Sequence, residues 1–195
     1  VMELANNGSL DTRISKEGSV PELDVLDVGI KVASALASAL KHNLLHRDIK
    51  PGNILFNSDV PPEPKLIDFG LAREAETDED VSNESSVWGT PYYVAPEKIK
   101  REREDFLSDL YSLGGTLYHA LTGHVPFEAP TVEDLVAAHV HTPLTPPNQV
   151  VLGISQATSD ALVIAMAKEP AARFQSYDEL ILALTAARSD IIVSQ

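Results

Sequence analysis

The chain has 195 residues, no cysteine, and 15 Lys plus Arg against 29 Asp plus Glu, a formal net charge of −14. That length suits one ordinary domain or one lobe of a larger one, burying roughly 70% of the surface its unfolded form exposes, and without cysteine there is no disulfide framework, thiolate zinc site or cysteine nucleophile. The acidic balance argues against broad nucleic-acid or anionic-membrane binding; no apolar run reaches the length of a spanning helix, and Val1-Met2-Glu3-Leu4 lacks the basic region and apolar core expected of a signal peptide.

An apolar start opens directly onto the loop-like Asn6-Asn7-Gly8-Ser9. Val20-Pro21-Glu22-Leu23 then begins a long helix, with Leu23, Leu26, Ile30, Ala33, Ala37 and Leu40 at steps of three and four. After His42-Asn43 the pattern shortens. Asn53 to Phe56 and Lys65 to Ile67 read as two brief strands around a proline-rich turn, a small hairpin. Residues 73–86 are acidic and polar, with Glu74, Glu76, Asp78, Glu79, Asp80 and Glu84, a composition that cannot bury enough to order itself. Helical periodicity resumes over 106–122, 131–140, 157–168 and 176–188, separated by Pro- and Gly-containing loops. The fold class expected is mainly α with one small β-hairpin.

The most informative stretch is His46-Arg47-Asp48-Ile49-Lys50-Pro51-Gly52-Asn53, followed fifteen residues after Asn53 by Asp68-Phe69-Gly70. A carboxylate, an ammonium two residues on and an amide three further on suit phosphoryl transfer. The carboxylate can orient and deprotonate a hydroxyl, the ammonium can neutralise the moving phosphoryl group, and the amide oxygen with a second carboxylate can hold Mg²⁺.

The run resembles the catalytic loop of protein kinases, and Asp68-Phe69-Gly70 resembles the metal-binding motif of that family. Gly89-Thr90-Pro91-Tyr92-Tyr93-Val94-Ala95-Pro96-Glu97 is similar to the end of a kinase activation segment, and Ser108-Asp109-Leu110-Tyr111-Ser112-Leu113-Gly114 to the buried helix of the larger lobe. Each block alone is weak; four in order and at compatible distances are specific. The wording around Lys50, Tyr111 and Arg173-Phe174 resembles bacterial members of the eukaryotic-type (Hanks-type) serine/threonine kinases.

The resemblance implies a C-terminal lobe spanning 1–195, with the hinge at 1–8, the catalytic loop at 44–55, the activation segment at 68–97 and a helical subdomain at 98–195. Asp48 would be the catalytic base, Lys50 would contact the γ-phosphate, and Asn53 and Asp68 would be magnesium ligands. Glu3 and Ala5 would meet the adenine edge, and Leu55 would lie beneath the adenine. Thr90 would bond to Asp48 and Lys50 and shape the acceptor pocket. Glu97 would pair with Arg173, and Asp109 would brace the catalytic loop from below. ATP and Mg²⁺ are the implied cofactors, a protein hydroxyl the substrate, and the cytoplasm the expected location, with no nucleic-acid or membrane contact within the chain.

Arg47, directly before Asp48, implies control by phosphorylation of the activation segment, with Thr77, Ser82, Ser85 and Ser86 as acceptors, because a phosphate can pair with that arginine. His139 and His141 read as surface residues rather than zinc ligands, and Trp88 as a packing residue. No G-x-G-x-x-G loop precedes Asp48, so the β-rich smaller lobe of the family is expected to be absent. Apolar positions near Val1, Met2, Leu4 and Leu55 would then be exposed, favouring self-association or exchange of a loop between copies. The alternative is a truncated kinase-like binding or scaffold module without catalysis. A non-kinase nucleotide-binding enzyme lacks support, since there is no G-x-x-x-x-G-K-[ST] loop.

Overall fold

The computed structural model describes residues 7–69 and 91–194. Helix α1, Leu10–Glu17, begins under the cap of Ser9, whose side chain accepts from the Thr12 N–H, and ends at Gly18 in a positive-φ conformation. The sequence pattern assigns no element to these residues, because the run is short and only Leu10 and Ile14 are buried. Helix α2, Glu22–Leu40, follows Pro21. Its buried stripe is Val25, Leu26, Val28, Gly29, Val32, Ala33 and Leu36, so the valines face the core and Leu23 and Ile30 lie at its margin.

Strands β1, Ile54–Phe56, and β2, Pro64–Leu66, form an antiparallel pair in which Ile54 faces Leu66 and Phe56 faces Pro64. The free edge of β1 is covered by residues 7–9: Asn7 N–H donates to the Phe56 carbonyl at 3.1 Å, and Phe56 N–H donates to the Gly8 carbonyl at 2.9 Å. Leu55, expected to be exposed, is half-buried because this segment bridges to it from Ser9. Val1, Met2 and Leu4 lie outside the described residues.

Helix α3, Pro96–Ile99, is a single turn. Helix α4, Phe106–Thr122, is capped by Asp105 and buries fourteen of its seventeen residues, so it is enclosed on nearly every face and acts as the pillar of the core. It ends at Gly123 (φ 76°), where an added Cβ would lie 2.3 Å from the Gly18 carbonyl oxygen; only glycine fits there. Helices α5, Val132–His141, and α6, Pro147–Val150, lead to α7, Gln156–Ala165, and α8, Tyr177–Val193. Helix α7 stops three residues short of the expected end, because Lys168 turns inward and Pro170 disfavours helix in the residue before it. Helix α2 packs most extensively on α8 and also on α4, while α7 packs on α4 and α8. Apart from the hairpin, the described residues are helices and connecting loops, and none of the helices is long and apolar enough to cross a membrane.

One sequence expectation is corrected here. His139 is not a surface residue but fully buried: its Nδ1 lies 3.0 Å from the Tyr111 hydroxyl, and its ring meets Phe127 edge to face. Its place four residues after the core residue Leu135, on the same stripe of α5, was the available signal. His141 is exposed.

Candidate active site

The loop between α2 and β1 is fixed from beneath by α4. Asp109, one turn into that helix and buried, accepts from the backbone N–H groups of His46 and Arg47, both at 2.7 Å. Burial pushes the Asp109 carboxyl up from its ordinary range, and the two donated N–H groups oppose the shift. Arg47 is thereby held in a left-handed conformation (φ 65°), which a non-glycine residue adopts only under such constraint.

His46 ties the loop to the exit of β2. Its Nε2 lies 2.8 Å from the Ile67 carbonyl, which fixes the proton on that nitrogen and leaves Nδ1 to accept from the Asp48 N–H at 3.3 Å. The ring also meets Phe69 edge-on, with centroids 4.7 Å apart. The sequence quotes His46 within the loop motif, yet nothing in its spacing reveals this double use of the imidazole.

Asp48, Lys50 and Asn53 converge. Lys50 Nζ donates to Asp48 Oδ2 at 2.7 Å, and Asn53 Nδ2 donates both to the Asp48 carbonyl at 2.8 Å and to Oδ2 at 3.0 Å. The Asp48 side chain is one-third exposed and that of Lys50 45%, so the group opens to solvent while the buried Asn53 anchors it. A 3-10 turn, Pro51–Asn53, creates this proximity, and the Ile67 N–H donates to the Asn53 carbonyl at 2.9 Å, joining the turn to the residue before Asp68.

Asp68 is exposed, with φ 64°, at the end of the hairpin. Asn53 Oδ1 and the Asp68 carboxylate make no hydrogen bond among the described residues, and both are hard oxygen donors of the kind Mg²⁺ prefers. Among those residues no cluster of three His, Cys, Asp or Glu side chains could hold a metal alone. An ion here would need ligands from a nucleotide and water. Leu55 is half-buried in β1 beside this group. Glu3, Ala5, Thr77, Ser82, Ser85, Ser86 and Thr90, with Trp88, lie outside the described residues.

A second polar cluster sits deeper. Arg173 NH1 and NH2 donate to the two oxygens of Glu97 at 2.7 and 2.8 Å, and Arg173 also donates to the carbonyls of Leu107, Ala167 and Lys168. Ser108 Oγ donates to Glu97 Oε1 at 2.7 Å. Burial alone would raise the Glu97 carboxyl, but the Arg173 hydrogen bonds and charge, with Ser108, outweigh it and hold Glu97 below the usual carboxylate range. The guanidinium lies over the Tyr111 ring at 4.9 Å. The pair ties residue 97, just before the 98–105 connection, to the loop before α8.

A family profile described as the protein kinase domain matches residues 1–179. The chain belongs to the protein kinase family. Among curated relatives, a probable serine/threonine-protein kinase of Clostridium perfringens is 35% identical over 181 residues, covering 93% of this chain and 26% of the relative. The serine/threonine-protein kinase PknH of Mycobacterium tuberculosis is 33% identical over 189 residues, covering 97% and 30% respectively. PknB of Mycobacterium leprae is 32% identical over 180 residues, covering 92% and 29%. This kinase chain spans less than a third of the length of these relatives. Its helical architecture with one two-stranded sheet matches the larger lobe of a kinase.

Proposed function

We propose that this chain is the larger lobe of a serine/threonine protein kinase, supplying the acceptor side of the cleft for transfer of the ATP γ-phosphate to a protein hydroxyl. The observation that carries the reading is the convergence of Lys50 and Asn53 on Asp48 Oδ2. Asp48 accepts the hydroxyl proton, Lys50 balances charge on the transferring group, and Asn53 orients the carboxylate through its amide. Bound between Asn53 and Asp68, Mg²⁺ would supply charge neutralisation to the nucleotide phosphates. Leu55, with Glu3 and Ala5, would meet the adenine. Arg47 would take the phosphate of a modified Thr77, Ser82, Ser85 or Ser86, and Thr90 would shape the acceptor pocket; an intact mass without added phosphate in the active enzyme would refute that regulation.

The reading also assigns nucleotide clamping to a smaller lobe outside the described residues. If that lobe gives about three charge-assisted hydrogen bonds of roughly 1.5 kcal/mol each, its absence costs about 4 to 5 kcal/mol, or a thousandfold in nucleotide affinity. The chain alone is therefore expected to transfer phosphate negligibly, as a radiolabel assay on a generic protein substrate would show; robust transfer would overturn the two-lobe requirement. In a longer version that carries a nucleotide-clamping lobe, Asp48→Asn should lower turnover by about 10² to 10⁴ while leaving the melting temperature unchanged. Unchanged turnover would remove Asp48 from its role, and a longer wild-type version that binds partners but no nucleotide would favour the scaffold reading.

A further inference from the structure

The backbone polar groups around Asp48 can be accounted for one by one. The Arg47 N–H goes to Asp109, the Asp48 N–H to His46 Nδ1, and the Asp48 carbonyl takes the Asn53 amide. The carbonyl between them, that of Arg47, accepts from Lys98 Nζ at 3.4 Å. Pairing of such groups is the rule in folded chains; what differs is the origin of each partner. His46 and Asn53 belong to the loop itself and Asp109 to α4, whereas Lys98 comes from α3, 51 residues along the chain from Arg47.

The Arg47 carbonyl and the Asp48 N–H are two ends of one planar peptide unit. Their partners therefore set a single variable, the rotation of that unit, and with it the direction in which Asp48 leaves the backbone. The unit follows Arg47 in its left-handed conformation (φ 65°), which persists only where the surroundings over-determine it. Both contacts are long, 3.3 Å at the N–H and 3.4 Å at the carbonyl, so neither fixes the unit alone. The charge of the ammonium strengthens the second.

Lys98 has a firm base from which to act. The preceding Glu97 is locked by the two-pronged bond to Arg173, which holds α3 against the loop before α8. The Lys98 side chain is 27% exposed, and Glu104, 23% exposed, lies 3.5 Å from its ammonium and steers it.

We propose that Lys98 is a positioning residue for Asp48: its ammonium fixes the peptide unit between residues 47 and 48 and so aims the carboxylate that takes the acceptor proton. This rests on the reading of Asp48 as the base. Lys98 directly follows the segment that ends at Glu97, so a displacement of that end reaches the base through one side chain.

Amide exchange of this chain, followed by NMR, supplies the first readout, and turnover of the longer version that carries a nucleotide-clamping lobe supplies the second. Lys98→Met keeps the apolar stem and removes the donor. It should speed exchange at Asp48 about tenfold, as loss of one charge-assisted hydrogen bond would, while the Arg47 amide, held by Asp109, changes less. Turnover of the longer version, at a temperature where the variant is folded, should fall by a similar factor with the nucleotide KM unchanged. Lys98→Arg, which restores a charged donor, should recover both. A merely structural role predicts neither the turnover loss in folded molecules nor the contrast between neighbouring amides. The proposal is overturned by exchange at Asp48 within about twofold of the parent, by equal acceleration at Arg47 and Asp48, by a loss confined to KM, or by failure of arginine to restore. Equal acceleration by Lys100→Met, an exposed cation two residues on, overturns it too. If Lys98→Met does not fold, Glu104→Gln, which releases the ammonium from its steering carboxylate, should speed Asp48 exchange about threefold, and an unchanged rate there is equally fatal. The two readings fail separately: full turnover by Asp48→Asn removes the base while the exchange pattern still reports the clamp, and an unchanged exchange pattern removes the clamp while Asp48→Asn still suppresses turnover.

Discussion

Replacing Arg173 by methionine keeps the side chain's length and its packing over Tyr111 while removing the charge from the buried pair with Glu97. Five hydrogen bonds are lost, two to Glu97 and three to backbone carbonyls. Ser108 and the residue's own backbone N–H remain as donors to Glu97. Leaving one member of such a pair buried and ionised costs about 3 to 5 kcal/mol. For a chain of this size each kcal/mol moves the melting temperature by about 2 to 4 °C, so the variant should melt roughly 6 to 20 °C lower by circular dichroism. The pH dependence makes the reasoning specific. In the parent chain the folded carboxyl of Glu97 lies below its unfolded value of about 4.5, so its contribution is present above that pH and is lost as pH falls through the folded value. In the variant, burial without Arg173 lifts the folded carboxyl above the unfolded value. Its folded state then takes up a proton on acidification, and the stability gap between variant and parent should narrow as pH is lowered toward 5. Adding Glu97→Gln to the variant should recover part of the loss, because the orphan charge is gone. A variant that melts within about 2 °C of the parent, or a gap that stays constant with pH, would refute the assignment of Glu97 and Arg173 as an energetically coupled pair.

Further expectations are testable on the same material. His139 is held neutral by burial and by the charge of Lys168, whose ammonium donates to the His139 carbonyl at 2.7 Å; its folded value falls to about 4 from 6.5, against a weak opposing contact from the Tyr92 backbone. The unfolded chain therefore binds the extra proton between those values, and stability should drop by about 3 kcal/mol as pH falls from 6.5 to 4; denaturant titrations of His139→Gln should lack that component, and an unchanged slope would count against it. Gly123→Ala places a methyl against the Gly18 carbonyl in a left-handed position and should cost about 2 to 3 kcal/mol; a neutral result in urea unfolding would show that the turn relaxes freely. Asp109→Asn turns one acceptor of the loop N–H groups into a donor and should cost about 2 to 3 kcal/mol, with faster amide exchange at His46 and Arg47; unaltered exchange there would mean that the loop holds its shape without α4.

Much of the helical frame was legible because apolar spacing and caps act locally: α4 occupies the predicted 106–122, and α5 and α8 begin within a residue of expectation. Legibility failed where the deciding partner was remote. Helix α1 has only two buried residues, so its short pattern looks like a loop until the core supplies Leu10 and Ile14 with neighbours. His139 looks solvated until Tyr111, Phe127 and Lys168 arrive from three other segments. In the candidate site, residue types and spacing pointed to Asp48, Lys50, Asn53 and Asp68, since motif order is a property of the sequence. The imidazole of His46 bridging the loop to Ile67, and Lys98 reaching the Arg47 carbonyl, depend on contacts across 21 and 51 residues that no local pattern encodes.

The packing of α2 on α8 has a consequence for how the chain is made. Roughly 140 residues separate the end of α2 from the start of α8. At ribosomal rates of about 5 to 20 residues per second, the stripe from Val25 to Leu36 waits some 7 to 28 seconds for the surface it will finally bury against. During synthesis that stripe is an apolar face without its mate, long-lived enough to be met by chaperones or by a neighbouring nascent chain. Loss of the last helix, by an early stop codon or a protease, would return the whole molecule to that unfinished state.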